Sequence, residues 1–154
     1  MNAVEVSVEG IGTPPWIERA RDFALAVLGR IEAESWDLSI LLCDDAFIRE
    51  LNRQYRDRDE ATDVLSFEQG DRYRDSEGRE RFLAGDIVIS LDALERNAEE
   101  FGVSRDEELR RLLVHGILHL SGMDHEDDED SRPMLLRQEG ILRELAAEGG
   151  RSIL

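Results

Sequence analysis

The sequence predicts an α/β (α+β) chain, with one mixed sheet of about four strands and roughly five helices packed on it. Three observations carry that expectation. Four short runs rich in Val, Ile and Leu are separated by segments whose apolar residues recur at helical spacing. The hydrophobic share, 41% of 154 residues, is enough for a two-layer core. Composition shows no break along the chain, so residues 1–154 read as a single domain.

Each element has its own signal. Ala3 to Val8 alternates, with Val4, Val6 and Val8 on one face, and reads as a strand. Thr13-Pro14 has the form of an N-cap followed by proline at the first helical position. Behind it, Trp16, Ile17, Ala20, Phe23, Ala24, Val27, Leu28 and Ile31 keep helical spacing. Asp37 to Cys43 is the second strand, and Asp44-Asp45 cap a helix with Phe47, Ile48, Leu51 and Tyr55 on one side. Asp63 to Glu68 and Asp86 to Leu91 supply the third and fourth strands.

Between those two strands, Gln69 to Arg81 is polar and lacks an apolar period, which suggests a mobile, hairpin-like connection. Leu91, Leu94, Ala98 and Phe101 form a helix ended by Gly102. Ser104 and Glu107 make a capping box that starts the next. Ser131-Arg132-Pro133 opens the last helix, which buries Met134, Leu135, Gln138, Ile141, Leu142 and Leu145.

Composition bounds the partners. Thirty-six acids against nineteen bases, all of them arginine, leave a net charge of −17. A protein gripping nucleic acid by phosphate neutralisation alone should be basic. Two readings remain: a solvated surface that keeps the protein soluble, or a basic partner that delivers the substrate. No run approaches the ~20 apolar residues that span a bilayer, so no membrane partner is expected. The N-terminus lacks the basic and apolar regions of a signal peptide. The single cysteine, Cys43, excludes an internal disulfide and suits a reducing cytoplasm.

The most informative segment is His115-Gly116-Ile117-Leu118-His119-Leu120-Ser121-Gly122-Met123-Asp124-His125, which holds all three histidines of the chain. His115 and His119 are i and i+4 on the helix from Ser104, at the shoulder of a buried stripe of Leu109, Leu112, Leu113, Gly116 and Leu120. Gly122 lies where a helix commonly ends in the left-handed conformation, and the turn can bring His125 back to the same point. Three imidazoles then surround one metal ion, with the fourth position of a tetrahedral zinc open, as in catalytic sites. The spacing matches the metzincin peptidase pattern H-E-x-x-H-x-x-G-x-x-H, except that Gly116 stands where the peptidase has its general base. Glycine inside a helix costs ~1 kcal/mol relative to alanine. Either a neighbouring element packs closely there, or the site needs room beside the metal. A peptidase would need another base, with Asp124, Glu126 and Asp127 nearby in sequence.

This run resembles the signature H-G-x-L-H-L-x-G-[aromatic or Met]-D-H of the YbeY family of bacterial endoribonucleases and rRNA maturation factors. Leu51-Asn52-Arg53-Gln54-Tyr55-Arg56, followed by Thr62-Asp63-Val64-Leu65-Ser66-Phe67, is similar to that family's L-N-x-x-[aromatic]-R…T-D-V-L-S-F segment. Gly85-Asp86-Ile87-Val88-Ile89-Ser90 matches a third, weaker block. The resemblance implies a zinc-dependent, single-strand-specific endoribonuclease with one zinc ion per chain. It would act in rRNA maturation, including the 3′ end of the small-subunit RNA, and in ribosome quality control. Its partners would be single-stranded or ribosomal RNA and the small subunit or basic ribosome-associated proteins.

By motif position the metal ligands fall on His115, His119 and His125, and a functional arginine on Arg56. Read without the family, Arg56 is more simply an ordinary surface arginine paired with Asp57, Asp59 or Glu60. Asp124 either orients a ligand histidine or acts as base, or merely caps the turn. Two other classes stay open: a metalloprotease-like zinc hydrolase, and a non-catalytic ribosome-assembly factor with a structural metal.

Overall fold

The computed structural model describes residues 1–122, 132–148 and 152–154. Strands β1 (Ala3–Glu9), β2 (Trp36–Cys43), β3 (Val64–Arg74) and β4 (Glu80–Ser90) form one sheet in the order β1-β2-β4-β3. β2 runs parallel to both β1 and β4, and β3 is antiparallel to β4, so the sheet is mixed, as expected. The helices are α1 (Ile17–Arg30), α2 (Asp45–Arg56), α3 (Leu91–Phe101), α4 (Arg105–Leu120) and α5 (Arg132–Ala147).

Alternation along the strands gives the sheet two unlike faces. Leu38, Ile40 and Leu42 of β2, with Ile87 and Ile89 of β4, pack into the main core with α1, α4 and α5. Cys43, Leu65 and Val88 point the other way and meet Ile48 of α2 in a smaller cluster. α4 is the hub of the main core, and its Leu109, Leu113, Ile117 and Leu118 are fully buried.

The caps explain most boundaries. Asp44 accepts from Phe47 N at 2.9 Å, Ser90 from Ala93 N at 3.2 Å and Ser104 from Glu107 N at 3.0 Å. Ser90 ends β4 and caps α3 at once, so Leu91 belongs to the helix rather than to the strand. The expected Thr13 cap does not form: α1 begins at Ile17, with Trp16 at the N-cap position and no side-chain cap. Pro15 is the reason, because a residue before proline is pushed out of the helical region and Pro14 cannot open the helix.

The polar segment from Gln69 to Arg81 is a hairpin, as suggested, but it is built of paired strand on both sides of a tight turn rather than of loose connection. β3 and β4 continue through it, pairing Asp71 with Leu83 and Arg74 with Glu80. Asp75 closes the hairpin by accepting from Glu77 N and Arg79 N, both at 2.9 Å. Much of this ribbon is solvent-exposed, so no apolar alternation marks it; polar contacts such as Tyr73 to Asp37, and Arg81 to Asp37 at 2.7 Å, hold it instead. Three residues counted on apolar faces are exposed: Tyr55 at 63%, Phe101 at 61% and Leu135 at 45%. Ser131, read as part of the opening of α5, lies outside the described residues.

Gly116 fixes how close α4 lies to the sheet. A Cβ there would stand 2.9 Å from Ile87 Cδ1 and 3.0 Å from Ile87 Cγ2. Ile87 is fully buried, so any shift of its side chain is into packed surroundings. The glycine therefore serves close packing of α4 on β4. Gly116→Ala should lower stability by about 1–3 kcal/mol, overpacking outweighing the gain in helix propensity. Adding Ile87→Val should recover part of that loss in a double-mutant cycle read by urea unfolding. An alanine variant as stable as the parent would show that α4 has slack at this point.

Candidate metal centre

α4 delivers the first two histidines. His115 and His119 lie in its last two turns, both half-buried beside the stripe that packs on the sheet. Their i,i+4 spacing projects both rings from one side of the helix. The helix ends at Ser121, and Gly122 follows with φ +99°, a conformation that favours glycine. The helix therefore ends where the spacing put it. His125 and Asp124, with Glu126 and Asp127, lie outside the described residues. Among the described residues no three His, Cys, Asp or Glu side chains gather into a metal-holding group. What the described structure contributes is the pair of imidazoles. Their chemistry fits zinc, which takes neutral imidazole nitrogens at about 2.0–2.1 Å.

His115 also borders a cavity of about 470 Å³ lined by Asp63, Val64, Glu108, Arg111, Leu112 and Gln138, with Phe101 and Val103 at one side. Its polar groups form two connected sets. Asn97 donates to Asp63 Oδ2 at 2.9 Å and to Glu108 Oε2 at 3.4 Å, bridging two acids. Further along α4, His115 Nδ1 lies 3.0 Å from Gln138 Oε1 of α5. Gln138 Nε2 donates to Glu139 Oε2 at 3.3 Å, and Arg111 grips both Glu139 oxygens at 2.8 and 3.2 Å. The hydrogen bonds from Arg111 hold the Glu139 carboxyl below its ordinary range, outweighing its partial burial.

Arg56 stands at the edge strand β3. It donates to the Ser66 carbonyl at 2.7 Å, and its guanidinium lies 5.2 Å from the centroid of the Phe67 ring. The surface ion pair weighed for it is made by others: Asp59 pairs with Arg49, and Glu60 lies nearest Arg58. Arg56 does not line the cavity beside His115, which is reached from the start of β3 by Asp63 and Val64. The structure thus carries the two histidines on one helix and holds Arg56 separately, at the end of α2 with its side chain against β3.

Sequence reasoning passed over Asn97, Glu108, Arg111 and Glu139, and counted Gln138 only as a residue on a buried stripe. A glutamine on such a stripe was itself the available signal, since a buried amide needs partners.

The architecture and the helix define a class: a mixed-sheet α/β protein carrying an H-x3-H pair at the end of the helix that crosses its sheet. The model of the family Endoribonuclease YbeY matches residues 9–146. Endoribonuclease YbeY of Treponema denticola is 60% identical over 124 residues, 80% of each chain. That of Treponema pallidum is 53% identical over 142 residues, 92% of this chain and 89% of the relative. A solution structure of a Thermotoga maritima protein superposes with a TM-score of 0.66 at 29% identity, covering 94% of this chain and 90% of that one. The chain belongs to the endoribonuclease YbeY family. No helix among the described residues is long and apolar enough to cross a membrane.

Glu108 gives the cavity a pH signature. It is only 4% exposed, and burial pushes its carboxyl above the usual range; the charge of Asp63 adds to this, while Asn97 and Arg111 pull it back. A carboxyl whose pKa is raised on folding holds its proton longer in the native state. Stability should therefore fall as pH rises from the free glutamate value of ~4.3 through the raised native value. Glu108→Gln removes that loss. The stability difference between this variant and the parent, measured by urea unfolding, should move in favour of the variant between pH 4 and pH 8. A difference independent of pH would contradict the assignment.

Proposed function

We propose that the chain is a zinc-dependent, single-strand-specific endoribonuclease acting in rRNA maturation, including the 3′ end of the small-subunit RNA, and in ribosome quality control. The observation that carries this is the pair His115 and His119, one turn apart on α4 beside a cavity, in a chain of the endoribonuclease YbeY family. His115 and His119 would hold one zinc ion, with His125 the third nitrogen ligand by motif position. When bound, zinc would supply Lewis acidity, activating water or polarising a phosphoryl oxygen.

The remaining work falls to side chains. Attack on a phosphodiester, by water or by the RNA 2′-hydroxyl, builds negative charge on phosphate oxygens. Arg56 is suited to meet that charge, because Phe67 and the Ser66 carbonyl fix the plane of its guanidinium and leave other N–H donors for a bidentate contact. Asp124, next to His125 in sequence, would orient a ligand imidazole or serve as base.

Gly116 weighs against the peptidase reading. Its position faces Ile87 of the sheet, so a glutamate there would enter the core rather than reach the histidines. The net charge of −17 supports delivery of RNA by the small subunit or basic ribosome-associated proteins, in the cytoplasm, over independent grip on RNA.

Purified protein supplied with zinc should cleave a single-stranded rRNA fragment and lose that cleavage to a chelator. His119→Ala should abolish turnover, and Arg56→Ala should reduce kcat about 10²–10³-fold, both with unchanged circular dichroism. Cleavage that persists in both variants would trace the activity to a contaminating nuclease.

A further inference from the structure

Gln138 sits on α5, 5% exposed, with its amide between an imidazole and a carboxylate. Its orientation follows from charge. Glu139, gripped by Arg111, is ionised and can only accept hydrogen bonds. The amide nitrogen must therefore face Glu139, since the reverse arrangement would press the amide oxygen against a carboxylate oxygen. That leaves the carbonyl oxygen 3.0 Å from His115 Nδ1. A carbonyl oxygen has no proton to give, so the proton in this contact belongs to Nδ1. A neutral imidazole carries one N–H. Its lone pair then lies on Nε2, the nitrogen that can coordinate a metal. In water the neutral ring prefers the opposite tautomer, with the proton on Nε2, so the protein reverses an intrinsic preference.

We propose that Gln138 is a positioning residue that fixes His115 as the Nδ1–H tautomer, and that the Arg111–Glu139 pair acts one step behind it by setting the amide. α5 thereby orients a histidine borne by α4. The role goes beyond packing: methionine could fill the volume of Gln138 but could not hold the proton on Nδ1. The inference rests on the proposed metal-holding role of His115 only for its consequence in binding. The tautomer itself is a property of the metal-free chain.

The test has two readouts on metal-free protein at pH 8. Long-range ¹H–¹⁵N NMR of the His115 ring should show Nδ1 protonated in the parent. Gln138→Met should shift the ring towards Nε2–H. Zinc affinity, measured against a chromophoric chelator, should fall about 10–100-fold in Gln138→Met, the usual loss when an outer partner of a ligand histidine is removed. Glu139→Gln, on the half-exposed side of α5, frees the amide to flip and should move the tautomer in the same direction, so the proposal stays testable if Gln138→Met fails to fold.

An Nε2–H ring in the parent would overturn the proposal, as would zinc affinity in folded Gln138→Met equal to that of the parent. If His115→Ala binds zinc as the parent does, the metal-holding role of His115 fails instead, and the NMR result separates that failure from the first.

Discussion

The close approach of α4 to β4 at Gly116 is the constraint on which the site depends. With no Cβ between helix and sheet, the backbone of α4 settles against Ile87, and the flanking Leu113 and Ile117 are fully buried. This seating fixes the rotation of the helix about its own axis. His115 and His119 sit at the shoulder of the buried face and are half-buried as a result. A larger residue at 116 would have to displace the Ile87 side chain or lift the helix, and lifting the helix would carry both imidazoles with it. The glycine that interrupts the peptidase-like motif is thus a packing residue whose effect is felt at the histidines.

Around that seat, polar groups are arranged so that each has a defined partner. One set runs from Arg111 through Glu139 and Gln138 to His115, joining α4 to α5. The other runs from Asp63 through Asn97 to Glu108 and ties the start of β3 to α3 and α4. Both sets face the same cavity, where low polarity strengthens each hydrogen bond and makes an unpaired group costly. They also divide the labour: the first bears on a histidine, whereas the second holds two acids to one amide, with the charge of Arg111 acting on Glu108 as well.

Much of this was legible in the chain itself, and for identifiable reasons. The alternation of Val4, Val6 and Val8, and the helical spacing of Leu109, Leu112, Leu113 and Leu120, are direct imprints of one-sided burial. The caps at Asp44, Ser90 and Ser104 depend on local hydrogen bonds, and Asp44 and Ser104 can be read from sequence neighbours. The outer part of the β3–β4 hairpin, from Gln69 to Arg81, left no apolar pattern because it is largely solvent-exposed, and part of its hold on β2 comes from Asp37, more than thirty residues away. Asn97 and Glu108 were invisible for a related reason: their meaning lies in a partner on another element. The histidine run was readable because helix geometry alone brings His115 and His119 together.

In the proposed function, the end of α4 presents imidazoles to a single bound metal ion. Zinc stoichiometry combined with X-ray absorption at the zinc edge tests it most directly. The expected result is one zinc per chain, ligated by histidine nitrogens at about 2.0–2.1 Å, and loss of that ligation in His119→Ala. Protein that stays free of zinc in the presence of excess metal, or a zinc shell unchanged by that substitution, would contradict it.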